Sequence, residues 1–311
     1  MGSIIKVNDL TKTYKKVDAV KGINFEVEKG EIFGFLGPNG AGKSTTINMI
    51  CTMLPPTSGS IVINGYDVKK HKDEVRGSIG IIFQENTLDE KLTANENLML
   101  HCRFYKVPKE KREERIQEVL EIVDLVDERK QRVETYSGGM KRRLEIARGL
   151  LHYPKVLFLD EPTVGLDPQT RAHLWEYILK LKEKEGITMF LTTHYLDEAE
   201  ISDRVAIMDK GEIIAIDSPT ALKDQLGGDI IELSTEDNEK ALEEIREKVE
   251  GAEVTVKEDT IHLKVSSSDA FISTFIKTLN IPVTRLNIRK PTLNDVFLAF
   301  TGRKIGESSD K

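Results

Sequence analysis

Cysteine is almost missing from this sequence: Cys51 and Cys102 are the two among 311 residues. Each sits in an apolar or helical context, which excludes a disulfide framework and a cysteine metal site and suits a reducing compartment. Long apolar runs are missing too. Stretches such as 156–159 and 213–216 fall far short of the roughly 20 residues that a membrane-spanning helix needs, so the chain is not expected to cross a bilayer. Residues 1–7 lack the apolar centre of a signal peptide, and export is not expected. An excess of positive charge is also lacking, since 45 Lys and Arg stand against 52 Asp and Glu for a formal net charge of -7. A nucleic-acid binder normally shows the opposite balance in order to engage phosphates. No long internal repeat and no low-complexity tract interrupts the chain. What is present is an ordinary globular composition, 39% apolar and 31% charged, which excludes disordered and fibrous classes. At this length a single core has usually stopped growing, so two domains are expected.

From the start to about Pro219, short β-branched runs alternate with helical patterns; beyond it strands and helices follow without a phosphate-type glycine loop. A boundary near Pro219 gives a first domain over 1–219, a second over 220–302 and a mobile tail over 303–311. Runs at 4–7, 23–27 and 61–63, flanked by glycine and proline, predict an antiparallel sheet. Between about 90 and 152 the pattern is helical, with Ile116, Val119, Leu120 and Val123 recurring at helical spacing after Pro108, and an inserted helical subdomain is predicted. Strands at 156–159 and 189–192 are almost continuously apolar, as in a parallel sheet covered on both faces. A helix over 170–185 joins them. The second domain reads strand 230–233, helix 239–249, strand 254–256, strand 261–265, helix 270–279 and strand 283–288. That βαββαβ order predicts a ferredoxin-like α+β fold, followed by a last helix over 293–300 that ends at Gly302.

Gly37, Pro38, Asn39, Gly40, Ala41, Gly42, Lys43, Ser44 and Thr45 fit G-x-x-x-x-G-K-[ST], between a strand-like run at 32–36 and a helical run. The glycines let the backbone fold around phosphates with its N–H groups inward, the helix N-terminus adds a positive dipole end, and Lys43 reaches the terminal phosphates. Ser44 then offers its hydroxyl to magnesium. The spacing and the context together read as nucleotide binding rather than as a plain glycine turn. Asp160 and Glu161 follow an apolar strand, where a parallel sheet delivers ligand groups. Asp160 can hold magnesium through water, while Glu161, on the other side of the strand end, can polarise the water that attacks a γ-phosphate. Ser137, Gly138 and Gly139 precede a helix rich in Lys141, Arg142 and Arg143, so Ser137 reads as an N-cap and the glycines leave bare N–H groups. One ATP cannot easily use two cradles from the same chain, so this second tip is expected to grip a nucleotide held by a partner. A capping motif without ligand is the alternative.

In this order the motifs resemble the nucleotide-binding subunits of ABC transporters, and the likeness covers nearly all of residues 4–219. It implies an α/β fold: a P-loop ATPase core with an antiparallel β-subdomain and a helical subdomain, here joined to the ferredoxin-like domain. By that resemblance Tyr14 stacks on adenine, and Gln84 touches magnesium and senses the membrane partner. Residues 136–140 are the signature motif, and Gly165, Leu166 and Asp167 form the loop along a dimer interface. His194, at a strand end, is the switch histidine, a donor to the γ-phosphate where charge builds, and Glu161 is the catalytic carboxylate. Singly, each has a plainer reading: a surface aromatic, a loop polar residue, an N-cap before Pro168, a core histidine. The signature has Tyr136 where leucine is usual and Met140 where glutamine is usual. Methionine there resembles the drug- and antibiotic-resistance exporters that work with separate ABC-2 type membrane subunits, and the ending over 290–302 is similar as well. The resemblance implies ATP and Mg2+ as ligands and a homodimer that sandwiches two ATP molecules. It also implies a cytoplasmic place, peripheral on the inner face of the cell membrane, and no nucleic-acid partner. An alternative is a soluble ABC ATPase acting on ribosomes or nucleic acid. Such proteins usually carry two cassettes, long coiled coils or zinc modules, and this chain has none of these. A binding module that uses ATP only as a structural ligand is disfavoured by the presence of both Glu161 and His194.

Overall fold

The structure, a computed structural model, describes residues 2–248, 253–257, 260–265 and 281–302. The chain divides into two compact units between Ser218 and Pro219. In the first, β1 (Ser3–Tyr14), β2 (Val17–Glu28), β4 (Ser58–Ile63) and β5 (Tyr66–Asp67) make an antiparallel sheet in the order β2-β1-β4-β5. A second sheet contains β3 (Ile32–Leu36), β6 (Ile79–Ile82), β7 (Val156–Asp160), β8 (Thr188–Thr193), β9 (Arg204–Asp209) and β10 (Glu212–Asp217), ordered β10-β9-β3-β8-β7-β6. Its neighbours are parallel except for β9 with β10.

Successive side chains on a strand point to opposite faces, and both faces of this sheet are covered. On β7, Val156 and Phe158 enter one core while Leu157 and Leu159 enter the other. On β8, Phe190 joins the first core, and Met189 and Leu191 join the second. These strands are therefore apolar without alternation. The first core gathers Phe25 of β2 with Phe33, Phe35, Phe158 and Phe190, neighbouring rings having centroids 5.4 to 6.4 Å apart. Burying each ring stabilises the fold by roughly 1.5–3 kcal/mol, which fixes the strands whose ends carry the site.

The second core receives α3 (Ala94–Phe104), α4 (Arg112–Ile122), α5 (Gly138–Leu150) and α6 (Pro168–Glu185). Ile116, Val119 and Leu120 come from α4, Leu144 and Ala147 from α5, and Leu174, Ile178 and Leu181 from α6, each set at the spacing of one helix face. The boundaries follow local chemistry. A capping box between Thr93 and Glu96 opens α3, and α6 opens at Asp167 with Pro168 behind it and closes at Gly186 with φ 60°. Three shorter helices, α1 (Lys43–Ile50), α2 (Lys72–Ser78) and α7 (Leu196–Ala199), belong to the same unit.

The second unit runs α8 (Pro219–Leu226), β11 (Asp229–Thr235), α9 (Asn238–Lys248), β12 (Glu253–Lys257), β13 (Thr260–Val265), β14 (Val283–Arg289) and α10 (Leu293–Thr301). Its sheet is antiparallel throughout, in the order β12-β13-β11-β14, a ferredoxin-like arrangement. Ile231, Leu233, Ile261 and Leu263 pack with Ala241 and Ile245 of α9. The helix expected over 270–279, the last residue of the helix expected over 239–249, and the tail expected over 303–311 lie outside the described residues. A capping box between Thr292 and Asp295 opens α10, and Gly302 closes it with φ 73°.

Candidate active site

β3 delivers the chain to residues 37–42, and α1 carries it away. Two glycines in this turn are demanded by geometry. Gly42 precedes α1 with φ 108°, which side-chain-bearing residues rarely adopt. Gly37 packs so tightly that a Cβ would lie 2.3 Å from the Met208 carbonyl oxygen. No side chain caps α1, so its first N–H groups and the helix dipole favour an anion at this end. Lys43 is buried at the tip, where its Nζ donates to the carbonyls of Gly37 at 2.8 Å and Pro38 at 3.2 Å. Burial pushes its pKa down, and the charges of Glu161 and Asp160 oppose that. Glu161 Oε1 lies 3.7 Å from Lys43 Nζ and 3.3 Å from His194 Nδ1.

The backbone of Glu161 is unusual: it follows β7 directly with φ 46°, a left-handed conformation that costs a non-glycine residue about 1–3 kcal/mol. Thr192 on β8 holds it there. The Glu161 N–H donates to the Thr192 carbonyl at 3.1 Å and to its Oγ1 at 3.2 Å. The same hydroxyl donates to Asp160 Oδ1 at 2.5 Å. One threonine thus fixes the main chain of one carboxylate residue and the carboxyl group of the other. Burial raises the pKa of Asp160, and the Thr192 hydrogen bond works against that rise.

Asn39, Gly40, Gly42, Lys43, Ser44, Thr45, Gln84, Glu161 and His194 line a cleft of about 550 Å³, a size typical of small-molecule sites. Ala19, Val164 and Tyr195 line it as well, and no sequence motif marks them. The ring of Tyr195 lies 4.1 Å from that of His194, and the Arg171 guanidinium sits 4.3 Å over Tyr195; the adjacency to His194 was the available signal. Gly37, Pro38 and Ala41 shape the turn without lining the cleft, and Asp160 is engaged by Thr192. Tyr14 stands at the end of β1, 45% exposed and outside the lining, with Lys12 Nζ 5.3 Å from its ring centre.

Ser137, Gly138, Gly139 and Asp167 do not join this cleft. They gather at the adjoining tips of α5 and α6. Ser137 Oγ accepts from the Met140 N–H at 3.2 Å, and Asp167 Oδ1 accepts from the Thr170 N–H at 3.0 Å. A Cβ on Gly139 would come 2.5 Å from the Thr170 methyl carbon, and one on Gly138 would come 3.6 Å from Leu166 Cδ2. Tyr136 is buried and donates its hydroxyl to the Glu128 carbonyl at 2.8 Å; burial pushes its pKa up to about 12. Met140 packs partly buried against the second core. No described helix is long and apolar enough to cross a membrane.

A family profile described as ABC transporter matches residues 20–164, and one described as ATP-binding protein DrrA1-3-like, C-terminal domain, matches residues 218–301. The chain is 42% identical to the linearmycin resistance ATP-binding protein LnrL of Bacillus subtilis (strain 168), over 97% of this chain and 99% of that protein. It is 36% identical to the daunorubicin/doxorubicin resistance ATP-binding protein DrrA of Streptomyces peucetius, over 98% of this chain and 94% of that one. Among solved structures, it superposes with a TM-score of 0.62 on the dimeric, post-hydrolysis ATP-binding cassette MJ0796 bound to ADP and Pi. The two are 31% identical, and the match covers 69% of this chain and 98% of that one.

Proposed function

The chain belongs to the ABC transporter ATP-binding family and is an ATPase, and from that premise we propose that two copies close head to tail over two ATP molecules to power export. The observation that carries this reading is the separation of two phosphate-seeking helix tips within one chain. The α1 tip lines the cleft beside Glu161, and the Ser137 tip of α5 does not. Each ATP then lies between residues 37–45 of one copy and Ser137, Gly138 and Gly139 of the other, with Asp167 at the seam and Tyr14 stacked on adenine. Lys43 exchanges its two carbonyl partners for terminal phosphates. Glu161 orients the attacking water, and His194 beside it donates to the γ-phosphate, where charge builds during transfer.

Among the described residues no three His, Cys, Asp or Glu side chains converge on a metal position. The oxygen donors Ser44, Gln84 and Asp160 instead fit a magnesium ion that keeps several waters and arrives with the phosphates. When bound, such an ion would neutralise charge on the terminal phosphates. LnrL and DrrA are by name resistance ATP-binding proteins, and by that likeness the cargo is a small molecule or lipid carried by a separate ABC-2 type membrane subunit. The chain then works in the cytoplasm against the inner membrane face. Gel filtration of Glu161→Gln tests the clamp: a dimer with ATP and a monomer without it are expected, and a monomer under both conditions contradicts the reading.

A further inference from the structure

Arg142 lies five residues beyond Ser137 on α5 and is buried together with Glu145. Its Nε donates to the Pro162 carbonyl at 2.6 Å. Its Nη1 donates to the Phe83 carbonyl and, at 2.7 Å, to Glu145 Oε2, while Nη2 donates to the Asp160 carbonyl at 3.4 Å. Glu145 Oε1 in turn accepts from the Thr87 N–H at 2.9 Å and from its hydroxyl at 3.2 Å. Phe83 and Thr87 bracket Gln84, and Asp160 and Pro162 bracket Glu161. A single side-chain pair on α5 therefore grips the chain on both sides of two residues that line the cleft.

Stability alone is a weak explanation for such a pair, because replacing a buried ion pair by apolar groups of similar size is often neutral or stabilising. What this pair supplies is direction, since the planar guanidinium satisfies three carbonyls from two separate segments with a fixed fork. Glu161 is left between two holds, Thr192 on its own N–H and Arg142 on the carbonyls before and after it. Helix α5 spans 13 residues and carries Ser137 at its tip, so a displacement of that tip is passed along a stiff rod to Arg142.

We propose that Arg142 and Glu145 are positioning residues that couple the two nucleotide sites of the dimer. When Ser137 engages the partner's ATP, the pair carries that engagement to Glu161 and Gln84 of its own site. The inference rests on the clamp reading above. Neither residue lines the cleft; they act through the backbone that sets the carboxylate, where a misplacement near 1 Å can cost about 100-fold in rate.

The full-length double variant Arg142→Met with Glu145→Gln removes both charges of the pair at once, so neither partner is left as a buried charge without the other. Its kcat is expected to fall about 10- to 100-fold, with KM for ATP within about threefold, and the positive cooperativity in ATP that the coupling predicts for the wild type is expected to be lost. Its melting temperature is expected to fall by several degrees, because the carbonyls of Phe83, Asp160 and Pro162 lose a donor, so kcat is read well below the melting transition. Arg142→Lys keeps the charge but not the fork, and its kcat is expected to stay depressed. Wild-type kcat and cooperativity in a folded double variant, or full recovery with Arg142→Lys, overturns the proposal. If the double variant does not fold, Glu145→Gln alone decides: an unchanged kcat overturns it, and a fall in kcat at constant KM supports it. Glu161→Gln without these changes reports on the clamp separately. Its ATP-dependent dimer, present while the double variant keeps wild-type turnover, rejects the coupling and spares the clamp; its absence rejects the clamp itself.

Discussion

The two helix tips assigned to phosphate are built in opposite ways. Helix α1 begins at a glycine with φ 108° and no side-chain cap, and its lysine is buried against two carbonyls. Helix α5 begins at Ser137, which already caps the Met140 N–H, and the neighbouring Lys141 is paired with Glu90 at 2.6 Å. The first tip has bare donors that an anion satisfies within one chain. The second carries its own serine cap on the Met140 N–H and is exposed, so water can serve its remaining donors between turnovers without the penalty of orphaned backbone groups. Under the proposed clamp, the contrast gives α1 the first contact with ATP and α5 a later, reversible one.

Three substitutions break or sharpen that contrast. Lys43→Ala should act most strongly, because hydrogen bonds to charged groups are worth about 1.5–3 kcal/mol, or roughly 10- to 100-fold in affinity. Calorimetric titration of the isolated variant with ATP reads this, and a loss under about threefold would show that α1 is not the primary tip. Ser137→Ala should leave the ATP affinity of the isolated chain within about twofold, lower ATP turnover about tenfold, and cost about 1 kcal/mol from the lost cap. An equal loss in binding by the isolated chain would erase the distinction between the tips. The smallest effect is expected from Asp160→Asn. Burial raises the folded-state pKa of this carboxyl, so the folded chain holds the proton more tightly than the unfolded one, and stability is lost as pH rises through the folded value. The neutral amide removes that loss. Its nucleotide-free form should melt higher than the wild type at neutral pH while turning over ATP more slowly, which thermal melts and a phosphate-release assay would show together.

Legibility in the sequence followed distance along the chain. The turn over 37–45 is contiguous, and its spacing alone reads as nucleotide binding. The apolar strands at 156–159 and 189–192 were legible because two cores take alternate residues, leaving no polar face. Thr192 was hidden, since nothing in its own strand says that its hydroxyl meets Asp160 and the Glu161 N–H 31 residues away. Arg142 was hidden for the same reason: it read as part of a basic helix, whereas its partners come from residues 83, 145, 160 and 162. Asp167 shows the two readings merging, because it caps α6 as an ordinary aspartate would and still stands beside the signature glycines through Thr170 and Leu166. Tyr136, odd as a signature residue, makes sense once its ring is buried and its hydroxyl pins Glu128.

The most direct test mixes two chains that each carry Glu161→Gln, one also with Lys43→Ala and the other also with Ser137→Glu. If the triphosphate is held across two molecules, a mixed pair contains one ruined site and one intact site. Neither chain alone should then retain radiolabelled ATP through gel filtration, whereas the mixture should retain it in a dimer-sized peak. A mixture that traps no more ATP than its separate components, while the parent Glu161→Gln chain does trap it, would contradict a site shared between two copies.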